Sequence, residues 1–473
     1  MTNGYLSPAL FALFFTLVLS GCNTKKDSPQ AQEIKQAMVV PKSAFSEKIE
    51  PQLFELTSGA LSVWRTFKAA KPTLLLFASH PLLNPIPENL LPEVKRVIES
   101  GHDTELLRRG SASAADVLFA SPQTVSAALE GGLLAEVIVV IPTKEKKDAI
   151  SLEKFTQRAQ EAGFLTQEEA TKLTLQDGII SGTVRNIPLR VIHPEALPPI
   201  TTPLLLHIDL GYFKENYVND IKTPIYDLIY EFTAAIRAAG YKPTAVTLSF
   251  SNQEVGYALT SRFVIKDLAS LFRYPNFLDG KTPTSWSLRS AALYASLMFN
   301  EERARTLTEQ AAKETPDDAA ALFDLSILRF QQGQADEGFS LLDQAVALDR
   351  GYALAYLELA DQGQSMGQWS KSFELLQKAT KAFPDNAEIR MRLAGDLIQR
   401  GRAVEARPLL DALEKLSWSG VYHADVPEIL SRMQTAAKIE NDVALPDAAA
   451  PQIVPQRKQQ GMPPSHMGFP PQQ

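Results

Sequence analysis

Three glycines, Gly333, Gly367 and Gly401, are spaced by 34 residues each time. A fixed period of that length means that one supersecondary unit is repeated, and it decides the architecture of this part of the chain before other features are weighed. Further positions keep the same phase. Ser326, Ala360 and Ala394 are small, as a close helix crossing requires, and Leu342, Leu376 and Leu410 are apolar. Ala345 and Ala379 match a second small position, which becomes Leu413 in the third unit, and Pro384 stands where a unit ends. One period earlier, Ser285 to Asp318 carries Ala292, Ala304, Ala311 and Pro316 in phase, with Phe299 in place of the turn glycine.

Period and phase together resemble tetratricopeptide repeats, over about residues 285–420, with three clear units and one degenerate one. The resemblance implies an all-α solenoid of stacked helical hairpins whose concave groove binds a protein partner. Bracing of the preceding domain is the other use of such an array. Residues 421–440 read as a helix that caps the last apolar face, and Trp369 and Trp418 as packing residues.

A chain of 473 residues exceeds what one core holds, so the fold is expected to be multidomain. The net charge of −7 is mild and no basic block is present, which argues against nucleic acid as a partner. Ala9 to Leu19 is apolar except for Thr16, too short to span a bilayer and suited to a signal peptide over residues 1–21, although Met1 to Pro8 holds no Lys or Arg. It ends Leu19-Ser20-Gly21-Cys22, which resembles the lipobox of bacterial lipoproteins. That resemblance implies acylation of Cys22 (a palmitate-bearing membrane anchor), and Asn23 in place of Asp implies the outer rather than the inner membrane. Cys22 is the only cysteine, so an intrachain disulfide and a cysteine metal site are excluded. Residues 22–44 read as a flexible tether, and residues 442–473 as a disordered Pro/Gln-rich tail in which His466 is solvated.

Residues 45–280 alternate between strand and helix patterns. Thr73 to Ser79, Ala135 to Ile141, Leu189 to His193, Leu204 to Asp209 and Thr244 to Phe250 read as strands. Glu88 to Ser100, Gln123 to Glu130, Pro224 to Ala239 and Val255 to Phe272 read as helices. This alternation predicts an α/β domain with a mostly parallel sheet.

FASHPLL, Phe77 to Leu83, resembles FDAHPDL, a motif of the arginase, agmatinase and histone-deacetylase superfamily. Ser121 to Pro142, LLLHIDLGYF (Leu204 to Phe213) and LSFSNQE (Leu248 to Glu254) resemble later segments of one bacterial branch. In that superfamily Asp and His side chains at strand ends hold one zinc or two manganese ions, which activate water against an amide or guanidino carbon. Here Ala78 and Leu82 stand where the first motif has Asp, Gly211 replaces another, and His207 stands where a further Asp is usual. The family's upstream histidine has no match near Leu56 to Trp64. Carboxylates that bridge two hard cations are therefore missing. The implied domain is a degenerate pseudoenzyme with no cofactor. The alternative is a metal-dependent amidohydrolase with a reduced site, in which His80, His207 and Asp209 hold one Zn or Mn ion. Residues 207 and 209 point to one side of their strand, as that set requires. His102 and His193 lie outside the motifs and read as structural or surface residues. No G-x-S-x-G, Walker A, G-x-G-x-x-G or H-E-x-x-H pattern occurs. The expected function is non-catalytic protein binding or scaffolding at the membrane.

Overall fold

The computed structural model describes residues 48–142, 150–217, 225–250, 259–280 and 282–439. Cys22 and its lipobox, the 22–44 tether, the end of the LSFSNQE segment and the 442–473 tail with His466 lie outside them.

The first half opens with β1 (Gln52–Phe54), a 3-10 turn at Thr57–Ala60 and the one-turn helix α1 (Leu61–Trp64). β2 (Thr73–Phe77), α2 (Leu91–Ser100), α3 (Asp103–Arg109), α4 (Thr124–Glu130) and β3 (Glu136–Val140) follow. Then come α5 (Leu152–Glu161), α6 (Gln167–Thr171), β4 (Thr174–Gln176), β5 (Ile179–Val184) and β6 (Ile187–Ile192). β7 (Leu204–Asp209) runs straight into α7 (Leu210–Tyr217), and α8 (Ile225–Ala238), β8 (Ala245–Ser249) and α9 (Phe263–Arg273) complete the domain.

The strands form one sheet in the order β1-β8-β7-β2-β3-β6-β5-β4. Pairs from β1 to β6 along that order are parallel, and β6-β5 and β5-β4 are antiparallel. The antiparallel edge follows from two tight turns, Asp177-Gly178 and Arg185-Asn186, with both central residues at positive φ in each. β2 is buried at every position because both faces are covered: Leu75 and Phe77 enter one core, Leu74 and Leu76 the other. β2 and β7 are neighbours whose following segments leave in opposite directions, toward β3 and toward β8. Their carboxyl ends therefore flank the switch point, where α/β sheets place ligands.

The second half is helical. Four hairpins follow in order: α10 (Thr284–Leu297) with α11 (Glu301–Glu314), α12 (Ala319–Gln331) with α13 (Ala335–Leu348), α14 (Leu354–Ser365) with α15 (Trp369–Ala382), and α16 (Ala387–Gln399) with α17 (Ala403–Glu414). α18 (Val426–Ile439) packs on α17 and closes that end. The phase positions Ser326, Ala360 and Ala394 are fully buried. Gly333, Gly367 and Gly401 have φ of 73°, 72° and 68°, the left-handed conformation that ends each first helix and that only glycine adopts without a Cβ penalty. Phe299 takes the same conformation, φ 56°, in the degenerate unit. Each turn is closed by the same backbone bond: Asn300 to Ala295, Gln334 to Arg329, Gln368 to Gly363 and Arg402 to Leu397, at 2.7–2.9 Å. The degenerate unit is thus a full member of the array.

Candidate functional site

At the switch point the structure joins polar residues from four segments. Asp209 ends β7, and its Oδ2 accepts hydrogen bonds from Ser249 Oγ at 2.7 Å and Thr57 Oγ1 at 2.8 Å. Its Oδ1 accepts from the Gly211 backbone N–H at 2.8 Å, which caps the start of α7. His207 Nε2 lies 3.2 Å from Ser249 Oγ, and its Nδ1 lies 2.8 Å from Thr247 Oγ1. Thr247 in turn accepts from the indole N–H of Trp64 at 3.2 Å. The strand register explains the meeting, because His207 sits opposite Thr247 and Asp209 opposite Ser249.

Proton counting fixes the direction of this chain. Ser249 has one hydroxyl proton, and it goes to Asp209. Ser249 therefore accepts from His207 Nε2–H. The imidazole then has Nδ1 left as an acceptor, which takes the Thr247 proton, and Thr247 accepts from the indole. Every donor points toward the Asp209 carboxylate. Burial, opposed by the charge of Asp209, holds the His207 pKa well below the usual histidine value, so the ring is neutral, as the chain requires. His207, Thr57 and Trp64 are completely buried, and the Trp64 and His207 rings meet at nearly a right angle, 5.4 Å between centroids.

His80 follows β2 on the other side of the switch point. Its Nδ1 lies 3.3 Å from Ser79 Oγ. Burial lowers its pKa and the charge of Asp209 opposes that shift, so it senses the carboxylate without joining the chain. Among the described residues no three His, Cys, Asp or Glu side chains come together as a metal site. The expected His80, His207 and Asp209 set is not gathered around one point, and both His207 nitrogens and both Asp209 oxygens are engaged by neutral donors and acceptors. The positions where the resemblance expects carboxylates carry buried aliphatic groups, Ala78 at 0% and Leu82 at 1% exposure. Leu82 holds φ 58°, and its carbonyl accepts from Val125 N–H at 3.0 Å, which ties the loop after β2 to α4. Gly211 contributes a backbone N–H in place of an acid.

Thr57, Trp64, Thr247 and Ser249 were not among the expected site residues. Two polar residues at alternate positions of the otherwise apolar β8 were the available signal. His102 precedes α3 on the surface, and His193 precedes a 3-10 turn.

The two halves share one continuous core. Arg289 of α10 donates to Tyr226 Oη at 3.0 Å, Asp267 Oδ2 at 3.1 Å and Asp318 Oδ2 at 2.6 Å, and Trp286 stacks on Tyr226. Beyond the last hairpin, Ser419 N–H donates to Ala115 O at 2.7 Å, and Tyr422 Oη donates to Gln123 Oε1 at 3.0 Å. His423 Nε2 lies 3.0 Å from Ala114 O. The array is therefore tied to the α/β domain at both ends, and part of its surface is an internal interface. Trp418 packs edge-on against His423, while Trp369 leaves half its surface exposed, more than a packing residue needs.

Comparison with known proteins finds the same repeats. Tetratricopeptide-repeat family models match residues 302–353 and 364–416. Cellulose synthase 2 operon protein C of Komagataeibacter xylinus is 32% identical over 149 residues, 31% of this chain. The chain spans only 11% of that relative's length. The chain thus carries tetratricopeptide repeats behind an α/β domain with a mostly parallel sheet.

Proposed function

We propose that this chain is a non-catalytic scaffold of the bacterial cell envelope, which holds a protein partner on its tetratricopeptide array and uses the α/β domain as a platform. One contrast carries the reading. The switch-point groups satisfy one another, whereas the array keeps Met366, Trp369 and Val404 exposed beside its hairpin turns. Tetratricopeptide repeats generally serve protein–protein interaction, and the surface not covered by the α/β domain remains available for it.

The α/β domain is read as arginase/deacetylase-like with its chemistry lost. The apolar burial of Ala78 and Leu82 supports this, as does the closed hydrogen-bond chain around Asp209. Attachment to the outer membrane through acylated Cys22 rests on Leu19-Ser20-Gly21-Cys22. The name of the relative suggests a partner in a polysaccharide-synthesis system.

A photo-crosslinking side chain at position 369, compared with one at Lys172 on the α/β surface, tests the scaffold reading in cells. A discrete adduct from position 369 alone is expected. Equal labelling from both positions would remove it. Elemental mass spectrometry decides against the amidohydrolase alternative or for it: stoichiometric zinc or manganese that disappears in His80→Ala would overturn the non-catalytic reading. Fatty-acid labelling that survives Cys22→Ser would remove the anchor.

A further inference from the structure

Among the described residues, the first hairpin of the array has an end that nothing covers. At the other end, α18 covers the last hairpin. The amino-terminal part of α10 is covered, since Trp286 stacks on Tyr226 of α8 and meets Phe277 edge-on. Its carboxyl-terminal part is not. Tyr294, Leu297, Met298 and Phe299 are 53%, 38%, 55% and 92% exposed. Four large apolar side chains within six residues form a contiguous patch rather than scattered surface hydrophobics.

Phe299 is the sharpest outlier. The other three turns place glycine at this position, and a residue with a Cβ is strained there. Nothing among the described residues repays that strain, because the ring packs against almost nothing. Strained positions of this kind point to a role outside the isolated fold.

The charges beside the patch say what covers it. Glu301, Glu302, Arg303 and Arg305 follow at once, all exposed. Among the described residues their side chains make no ion pair. Two acids and two bases in one short stretch suit no partner of a single charge sign. They suit a copy of themselves: in an interface with twofold symmetry, residue i meets j and j meets i, so the acids of one copy face the bases of the other.

We propose that the α10–α11 end of the array is a self-association surface, on which Tyr294, Leu297, Met298 and Phe299 of two copies pack together about a twofold axis with the Glu301–Arg305 segments as a complementary charged rim. Phe299 is the anchor, large, apolar and the most exposed of the four. The surface is separate from Met366, Trp369 and Val404, so pairing leaves the region assigned to another partner open and doubles it.

Sedimentation velocity of the full chain over a concentration series tests this. The wild type is expected to show a concentration-dependent dimer, and Phe299→Asp to weaken it about tenfold or more. Phe299→Gly separates folding from association: it relieves the strained turn, so the melting temperature rises while dimerisation falls. Charge reversal gives an independent arm. Glu301→Arg/Glu302→Arg and Arg303→Glu/Arg305→Glu each weaken self-association, and mixing the two variants restores it. A wild type that stays monomeric overturns the proposal, as does a dimer untouched by Phe299→Asp, or a mixture that associates no better than its components. Loss of a larger complex with another protein in Phe299→Asp, while the purified wild type stays monomeric, would assign the patch to that protein instead.

Discussion

Arg262 and Asp349 meet across the junction of the two halves as a bidentate pair, Nε to Oδ2 and Nη2 to Oδ1, both at 2.8 Å. The same guanidinium reaches back to Glu55 at 2.6 and 2.8 Å and lies 3.8 Å over the Phe250 ring. It is 2% exposed, and a Cβ on Gly351 would stand 1.9 Å from its carbon. A planar, buried cation thus links an early loop, α9 and the loop after α13.

Removing one partner of a buried charge leaves the other unpaired. Asp349→Ala is expected to cost about 3 kcal/mol, less than a full orphaning because Glu55 remains. Gly351→Ala should also destabilise, by displacing the guanidinium. Urea or thermal unfolding measures both; an unchanged midpoint for either would show that the junction contributes little. Burial alone would raise the pKa of Asp349, but Arg262 and Lys266 hold it at about 2. Its folded value lies below the unfolded one, so this contribution is complete above about pH 4 and is lost as the pH falls toward 2.

Asp267 behaves in the opposite sense. Burial pushes its pKa up to about 6, against the pull of Arg289 and the Tyr226 hydroxyl, with Asp318 adding to the rise. The folded state then holds a proton that the unfolded state releases near pH 4. Wild-type stability relative to Asp267→Asn should therefore fall as the pH rises from about 4 to about 6, and level off above. A difference that stays constant across that window would mean that Asp267 is ionised throughout.

The turn glycines make a conformational prediction. A Cβ at Gly401 meets nothing within 4 Å, so Gly401→Ala changes only the cost of positive φ. The expected loss is about 1 kcal/mol, and Gly333→Ala, equally open, should match it. Differential scanning calorimetry on both variants checks this, and a stabilised variant would contradict the shared left-handed turn.

Ser249 stands between His207 and Asp209, accepting from one and donating to the other. Ser249→Ala should cost about 2 kcal/mol, because it strands a buried N–H and removes a donor from a carboxylate. The neutral state of His207 adds a pH effect. Its pKa is lowered from 6.5, so the unfolded chain takes up a proton that the folded site resists. Stability should fall as the pH drops below about 6.5, and His207→Gln should remove part of that slope. A neutral Ser249→Ala, measured by chemical denaturation, would discard the hydrogen-bond assignment.

How much of this was legible beforehand depended on the range of the interaction. The repeat phase was readable because each hairpin turn reuses a local conformation that glycine satisfies, and Phe299 stood out for the same reason. The strands Thr73–Phe77 and Leu204–Asp209 were readable because burial on both faces demands an unbroken apolar run. The Asp177-Gly178 hairpin was available as a turn signal and went unread. The Asp209 chain was hidden: Thr57 lies 152 residues from its partner, and Thr247 and Ser249 about 40 from theirs. Spacing along a chain carries no mark of such pairings.

The sequence by itself determined the local order: a 34-residue helical repeat, alternating strands and helices before it, and which strand ends carry polar groups. Only the tertiary structure decided that His207 and Asp209 consume their hydrogen bonds on Ser249, Thr247 and Thr57 rather than converge with His80, and that the array is fastened to the α/β domain through Arg262, Arg289 and Ser419. The reason is physical. Backbone conformation is set within a few residues, whereas the partner of a buried charge or hydroxyl is whichever group the strand register and the packing of distant elements bring within hydrogen-bond reach.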